Sequence, residues 1–589
     1  MDLATTARRI RWTTTRGIRE RENPGGMLAR ALDREGEDAL LALLEPGVQQ
    51  VELVDGSLSI RLRLEPDGVA VESQWAGGEA LHSRLPLPAA RPIEALAPAL
   101  HRPELALHVA DGRWWEGRPS SSFTGYVPAV LPDQLGSGAF RRCYRVERNI
   151  MSGAMAGGIA SVELVQAMDA GGMLGIFGAG GLDLNEVERA VDRLVAGGGG
   201  FGVNLLHNPV EPAVEERTVD LFLKRGVRVV EASAFMQLTP PILRYRLTGI
   251  EERDGRVYVP HRLIAKVSRP EVAEPFLRPP PPAMVEELRE AGHLTERQAQ
   301  LAKYVTVCDD LTIEADSGGH TDRRPLSVLI PAIRRLRDRI ATECATARPP
   351  RIGAAGGLGD PWSVAAAFAL GADYVVTGSV NQSSREAGTS QAVKELLAAA
   401  NYTDVGMGPA PDMFELGAEV QVLSRGSMYA QRAGKLYEVY RGQPSWEQTP
   451  AHERERIEKH ILGRSFADVW ADTESYWSRR DPKELERAAL DPRHRMALAF
   501  RWYLGMSSRW ARQGEGSRKR DYQIWCGPAM GLFNDWVRGT WLEPLEARSV
   551  ATVNRALLHG AAVATRLNMA RLTGMSLPPE VLRIVPHRG

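Results

Sequence analysis

From residue 148 to 379 the chain repeats one unit: a short apolar run, a loop of small residues, and a stretch with helical spacing. Eight apolar runs read as strands, at 148–155, 173–178, 200–206, 227–233, 262–268, 310–316, 351–355 and 373–379. Between them, Asn185–Ala196, Ala213–Arg225 and Ser327–Ile340 carry apolar residues at three- and four-residue intervals, the spacing of one helix face. Continuous apolar strands alternating with helices imply a parallel sheet buried on both sides. Eight such units in about 235 residues is what a closed (β/α)8 TIM barrel needs. A doubly wound open sheet is the alternative, but its Gly-x-Gly-x-x-Gly turn after the first strand is missing. The expected fold class is α/β, and the barrel is preferred.

The flanks differ from this repeat. Residues 1–125 hold alternating runs such as Gln50–Val54 and Leu58–Leu64, the pattern of strands with one exposed face, with proline-rich connections around 86–103. They are read as a small β-containing domain without an assigned role. The barrel domain is placed at 126–445, with an excursion at 271–309 marked by Pro279–Pro282, a stretch expected not to be helical, before a helix at 283–291. Residues 446–589 are rich in Trp, Arg and Glu with helical periodicity, as in Glu453–Ile461, Leu485–Leu490 and Arg495–Tyr503, and read as a helical C-terminal subdomain.

Charge and cysteine usage exclude several classes. Lys+Arg and Asp+Glu are both 73, so no net charge draws the chain to nucleic acid or to an acidic membrane. No apolar run is long enough to cross a bilayer, and the N-terminus lacks the apolar core of a secretory signal. Cys143, Cys308, Cys344 and Cys526 are widely spaced, which argues against a structural metal or a disulfide framework. A cytoplasmic protein with no metal, no nucleic-acid partner and no membrane partner is expected, and a homodimer is compatible with the sequence.

In such barrels the loops at the strand C-termini build the site, and phosphate commonly sits after strands seven and eight. Those loops are Ala355-Gly356-Gly357 and Thr377-Gly378-Ser379, each placed before an expected helix start, at Asp360–Pro361 and after Asn381. Amides without a Cβ in the way can then converge on an anion; tight turns alone would explain one such loop, but two in succession at these strands favour a phosphate site. The first strand ends in Ala154-Met155-Ala156-Gly157-Gly158, small enough for a flat ring to lie against the backbone. Asn204, ending strand three, offers both a donor and an acceptor to a heteroaromatic edge. Lys266, ending strand five, either contacts a cofactor or forms an ion pair. Strand six ends in Glu314-Ala315-Asp316-Ser317-Gly318-Gly319-His320, which aims His320 at the barrel mouth as a proton donor or acceptor. A structural histidine satisfied by Glu314 or Asp316 is the alternative. His207 and His261 are weaker candidates.

The run Glu314–His320 resembles the Glu-Ala-x-Gly-Gly-His signature of the nitronate monooxygenase family of FMN barrels, a superfamily that includes flavin-dependent enoyl-acyl carrier protein reductases. With its inserted Asp-Ser and the trailing Thr321–Pro325 it is closer to the stand-alone enoyl reductases of polyunsaturated fatty acid and trans-acting polyketide synthases. Gly153–Ser161, Phe201–Leu206, Val230–Phe235, Ala354–Gly359, Val376–Gln382 and Asp521–Gly531 share that resemblance, which runs from about residue 125 to near the C-terminus. It implies a trans-acting enoyl reductase passing electrons from NADPH (or NADH) through FMN to an enoyl thioester on an acyl carrier protein. It implies His320 as the candidate for the α-carbon proton. Ala154, Met155, Ala156, Asn204, Lys266, Ser317, Gly318, Gly319, Gly356, Gly357, Gly378 and Ser379 are the expected FMN contacts. The cluster Arg509, Arg512, Arg518, Lys519 and Arg520 would dock the acidic carrier, unless it is merely solvated. A nitronate monooxygenase-type oxidase shares fold, FMN and His320, but has no need of the helical tail or the insertion. A catalytically silent scaffold would be expected to lose the glycines or the histidine, and both are intact.

Overall fold

The computed structural model describes residues 125–207, 212–344, 348–572, 575 and 577–588. Ahead of these it describes segments 9–14, 17–22, 48–55, 58–65, 68–75, 81–85, 91–92, 99–103, 105–110 and 113–116. The chain forms two compact units, Met1–Ala129 with Met569–Leu577, and Val130–Asn568 with Pro578–Gly589. Residues 446–568 thus share a unit with the barrel.

In the first unit the alternating runs pair as the sequence suggests. Val48–Asp55 and Leu58–Glu65 are antiparallel neighbours, with Leu53 opposite Ile60, inside a six-stranded sheet. Arg61 reaches Glu52 at 3.0 Å and Glu72 at 3.2 Å on its two neighbouring strands. A four-stranded sheet follows, and most of the proline-rich 86–103 stretch lies outside the described residues.

The second unit is built on a closed parallel barrel. Its strands are β1 Ile150–Ser152, β2 Leu174–Phe177, β3 Gly202–Leu206, β4 Val229–Ser233, β5 Arg262–Val267, β6 Asp310–Glu314, β7 Arg351–Ala355 and β8 Tyr374–Thr377. All eight fall inside the runs read from sequence, and β8 closes on β1 with Met151 opposite Val376. The interior is filled by Met151, Leu174, Ile176, Val229, Ile264, Ala355, Tyr374 and Val376. Phe140 and Tyr144, from the helix Gly138–Tyr144, plug its N-terminal end, where Phe140 stacks on Tyr374 at 4.3 Å. There Asp310, fully buried, takes bonds from the Tyr144 hydroxyl and from Arg351, whose Nε lies 2.6 Å away. That end is packing and ion pairs, leaving chemistry to the opposite one.

The expected excursion consists of three helices, Pro270–Leu277, Pro282–Glu290 and Glu296–Ala302. Pro282, expected outside the helix, is its first residue, a position where the missing N–H has no helical partner to lose. After β8 comes a short 3₁₀ helix, Ser379–Ser383, and the helix expected beyond Asn381 follows at Gln391–Ala398. A small antiparallel sheet then joins Val405–Pro409 and Glu419–Leu423 to the two-residue strand Gly319–His320. The C-terminal helices include Tyr429–Gly442, Phe466–Arg480, Pro492–Gln513, Ala529–Val537 and Val550–Leu572. No helix among the described residues is long and apolar enough to cross a membrane.

Candidate functional site

Side chains alternate along a strand, so residues two apart share a face. Val229 and Ile264 point into the barrel; Glu231 and Lys266 therefore do the same, one layer nearer the C-terminal mouth. Thr312 bonds the interior Tyr374 hydroxyl at 2.8 Å, which places Glu314 in that same layer. The three meet. Lys266 Nζ lies 3.3 Å from Glu314 Oε1, and the Ser317 hydroxyl donates to that oxygen at 3.2 Å. Glu231, wholly buried, accepts from the Ala154 N–H at 3.2 Å through Oε2, while its Oε1 has no partner among the described residues. Burial pushes the Glu231 carboxyl above its usual range, against the opposing pull of Lys266 and the Ala154 amide. Burial alone would lower Lys266, but Glu314 and then Glu231 more than restore it, so the ammonium stays charged. Lys266 is thus an ion-pair residue at the mouth. The sequence reading named Glu314 only within its motif and as a possible partner of His320, and gave Glu231 no role.

Ala154, Met155 and Ala156 leave β1 beside this layer, with Gly157 N–H bonded to Gly180 O at 2.6 Å. Asn204 uses its Oδ1 to accept the Gly180 N–H at 3.1 Å. Its Nδ2 donors and the second lone pair of Oδ1 remain to offer a ligand.

The glycines divide into two kinds. A Cβ on Gly357 or Gly378 would meet nothing within 4 Å, so the ends of β7 and β8 face open space. A Cβ on Gly356, at φ +90°, would lie 2.7 Å from the Ala315 backbone. On Gly318 it would lie 2.7 Å from the Cys526 amide, and on Gly319, at φ +83°, 2.8 Å from the Trp525 ring. Those three glycines admit neighbouring protein, whereas Gly357 and Gly378 leave room for something else. Ser379 opens the 3₁₀ helix, and its hydroxyl accepts the Gly527 N–H at 3.0 Å.

The stretch Trp525–Gly527, some two hundred residues beyond strand six, is therefore a wall of the mouth. Gln382 Nε2 donates to Trp525 O at 2.5 Å, and Gln421 Nε2 reaches Asp316 Oδ1 at 3.0 Å and Ser317 O at 2.9 Å. His320 stands on the small sheet, its ring edge-on to Trp525 at 5.7 Å and Nε2 3.1 Å from Asp412 Oδ2. Its side chain is 32% exposed, and its partner is Asp412, not Glu314 or Asp316.

The remaining candidates are structural. His207 pairs with Glu215 at 2.9 Å and stacks on Phe235. His261 lies at the opposite end of the barrel, where burial pushes it down to about 4 against its bond to Thr248 O. The basic cluster is not one surface. Arg512 donates to Gly157 O at 2.7 Å, and Arg518 covers the Trp510 ring and donates to Ile461 O at 2.9 Å, leaving Arg509, Lys519 and Arg520 exposed.

Comparison with known proteins agrees with the barrel fold. The nitronate monooxygenase family matches residues 145–410, and the inserted helical domain of acyl-carrier-protein S-malonyltransferase matches 443–522. The chain is 47% identical over 462 residues to one of the polyunsaturated fatty acid synthase subunits of Thraustochytrium sp., covering 77% of this chain and 31% of that protein. It is 42% identical over 438 residues to polyketide biosynthesis protein PksE of Bacillus subtilis, covering 74% and 57%. It spans 31% and 57% of the length of these two relatives. The crystal structure of the enoyl reductase domain of MlnA, from the macrolactin cluster of Bacillus amyloliquefaciens, superposes with a TM-score of 0.71 at 35% identity, covering 75% of this chain and 99% of that one.

Proposed function

The chain belongs to the nitronate monooxygenase-like barrels, in the branch of the polyketide and polyunsaturated fatty acid synthase enoyl reductases, and we propose that it is an FMN-dependent enoyl reductase. The observation that carries the reading is the open face left by Gly357 and Gly378 at the ends of β7 and β8, beside the helix starts at Pro361 and Ser379. Backbone amides at such a place suit a phosphate. The donor set fits the rest of FMN: the small Ala154–Ala156 edge, the free Asn204 Nδ2, and a charged Lys266 at the mouth.

When bound, the flavin supplies the hydride relay between NADPH and the β-carbon of an α,β-unsaturated thioester. The chain's own residues hold and orient. Amides of Gly356–Gly357 and Gly378–Ser379 take the phosphate, and Ser317 together with Gly318 and Gly319 shapes the wall that Trp525–Gly527 closes. With Nε2–H donated to Asp412, Nδ1 is bare in the neutral ring, so His320 gives the α-carbon its proton from Nδ1 as the imidazolium.

The substrate in this proposal is carried by an acyl carrier protein within a polyketide or polyunsaturated fatty acid synthase system. Supporting it are the relatives' names and the helical segment 443–522, whose match is named for an enzyme of acyl carrier proteins. The protein as purified is expected to bind FMN. A colourless protein that FMN cannot reconstitute would refute the reading, and oxygen uptake with a nitronate in place of NADPH-dependent enoyl reduction would favour an oxidase.

A further inference from the structure

The 3₁₀ helix that opens at Ser379 is nearly sealed from solvent, with Val380 and Asn381 fully buried. Five residues of 3₁₀ geometry do not hold themselves in place. What holds them comes from β1 and from the C-terminal helices. Asn554, wholly buried in the helix Val550–Leu572, accepts from the Thr377 hydroxyl at 2.6 Å and donates from Nδ2 to Asn381 Oδ1 at 3.0 Å. Asn381 in turn donates to Ser152 Oγ of β1 at 3.0 Å and back to Thr377 O at 3.1 Å. Asn554 Nδ2 also bonds Val550 O of its own helix at 2.8 Å, which fixes its rotamer. The result is a buried, connected polar network, in which each satisfied member locks the next.

Thr377 and Asn381 bracket Gly378 and Ser379, the residues at the open end of β8. We propose that Asn554 is a positioning residue for an anion-binding loop: by gripping Thr377 and Asn381 it aims the Gly378–Ser379 amides at a phosphate. It does so from within the protein, since Ser152, Thr377, Asn381 and Asn554 are all buried. This rests on the FMN reading above and extends it, assigning part of the phosphate site to a helix nearly 180 residues beyond the loop.

The test separates phosphate from ring. Apo-protein is titrated with FMN and, in parallel, with riboflavin, which carries the same ring and no phosphate. In Asn554→Leu and in Thr377→Val, the FMN dissociation constant rises about tenfold or more, the scale of one lost charge-assisted hydrogen bond, while that of riboflavin stays within about twofold. Thr377→Ser, which keeps the hydroxyl, retains the wild-type preference for FMN. Equal loss of both flavins would make Asn554 a stability residue and overturn the proposal, as would an unchanged FMN preference in folded variants. Should Asn554→Leu fail to fold, Thr377→Val, the smaller change, decides. Wild-type protein binding riboflavin as tightly as FMN refutes the phosphate loop; wild-type protein binding neither refutes the flavin reading, and the proposal with it.

Discussion

Gly378→Asp sets a carboxylate at the end of β8 where the phosphate is proposed to lie. The residue sits at φ −132°, and its missing Cβ would meet nothing within 4 Å, so the change brings no clash. Two unit charges about 4 Å apart repel by about 1 kcal/mol in bulk water and about 4 kcal/mol at the effective dielectric of a protein surface. FMN affinity should therefore fall between roughly fivefold and roughly a thousandfold. Gly378→Ala supplies the same Cβ without the charge and should bind FMN within about threefold of wild type, since it adds no charge and fills empty space. The assay is quenching of flavin fluorescence on titration of apo-protein, with a thermal melt of each variant to show that the fold is intact. An aspartate variant that binds FMN as the alanine variant does would refute the placement of the phosphate. Gly356→Asp would be a poor substitute. At φ +90°, with its Cβ 2.7 Å from the Ala315 backbone and 2.8 Å from Asp316 O, it would lose flavin through distortion of the β6 and β7 loops.

Other outcomes follow from the charged layer and the histidine. Burial raises Glu231 above 4.5, so the folded state keeps a proton that the unfolded chain releases, and stability falls as pH rises from that value through the raised one. Glu231→Gln has no such proton to lose, so its Tm advantage over wild type should grow from pH 4 to 7; a constant difference would contradict it. Lys266, raised in the fold and retaining Glu314, matters only in strong alkali and does not reverse that trend. His320→Ala should keep its flavin and lose roughly 10²–10⁴-fold in enoyl reduction, the usual scale of a positioned acid. Unchanged turnover would move the proton source elsewhere.

The barrel was legible because each strand is a continuous apolar run, and burial on both faces leaves that mark whatever the neighbours are. The loops after β7 and β8 were legible for a related reason: glycine following an apolar run is a local signal. Glu231 was not, because one acidic residue within an apolar run says nothing until barrel closure sets it beside Lys266 and Glu314. The partners of His320 were hidden by distance, Asp412 lying 92 residues along the chain and Trp525 farther still. Gly318 and Gly319 were read as room for a ligand, yet that room belongs to Cys526 and Trp525, which sequence alone does not place there. The strand Glu419–Leu423 did carry a signal, the alternation Glu-Val-Gln-Val-Leu, and the reading passed over it.

The central claim is a reduction, and its direct test is chemical. Flavin-loaded protein is given NADPH and a 2-enoyl thioester on an acyl carrier protein, and NADPH oxidation is followed alongside the mass of the carrier. An enoyl reductase consumes one NADPH for each carrier that becomes two hydrogens heavier. NADPH left untouched by every carrier-bound enoyl thioester offered, with oxygen consumed on a nitronate instead, would contradict it.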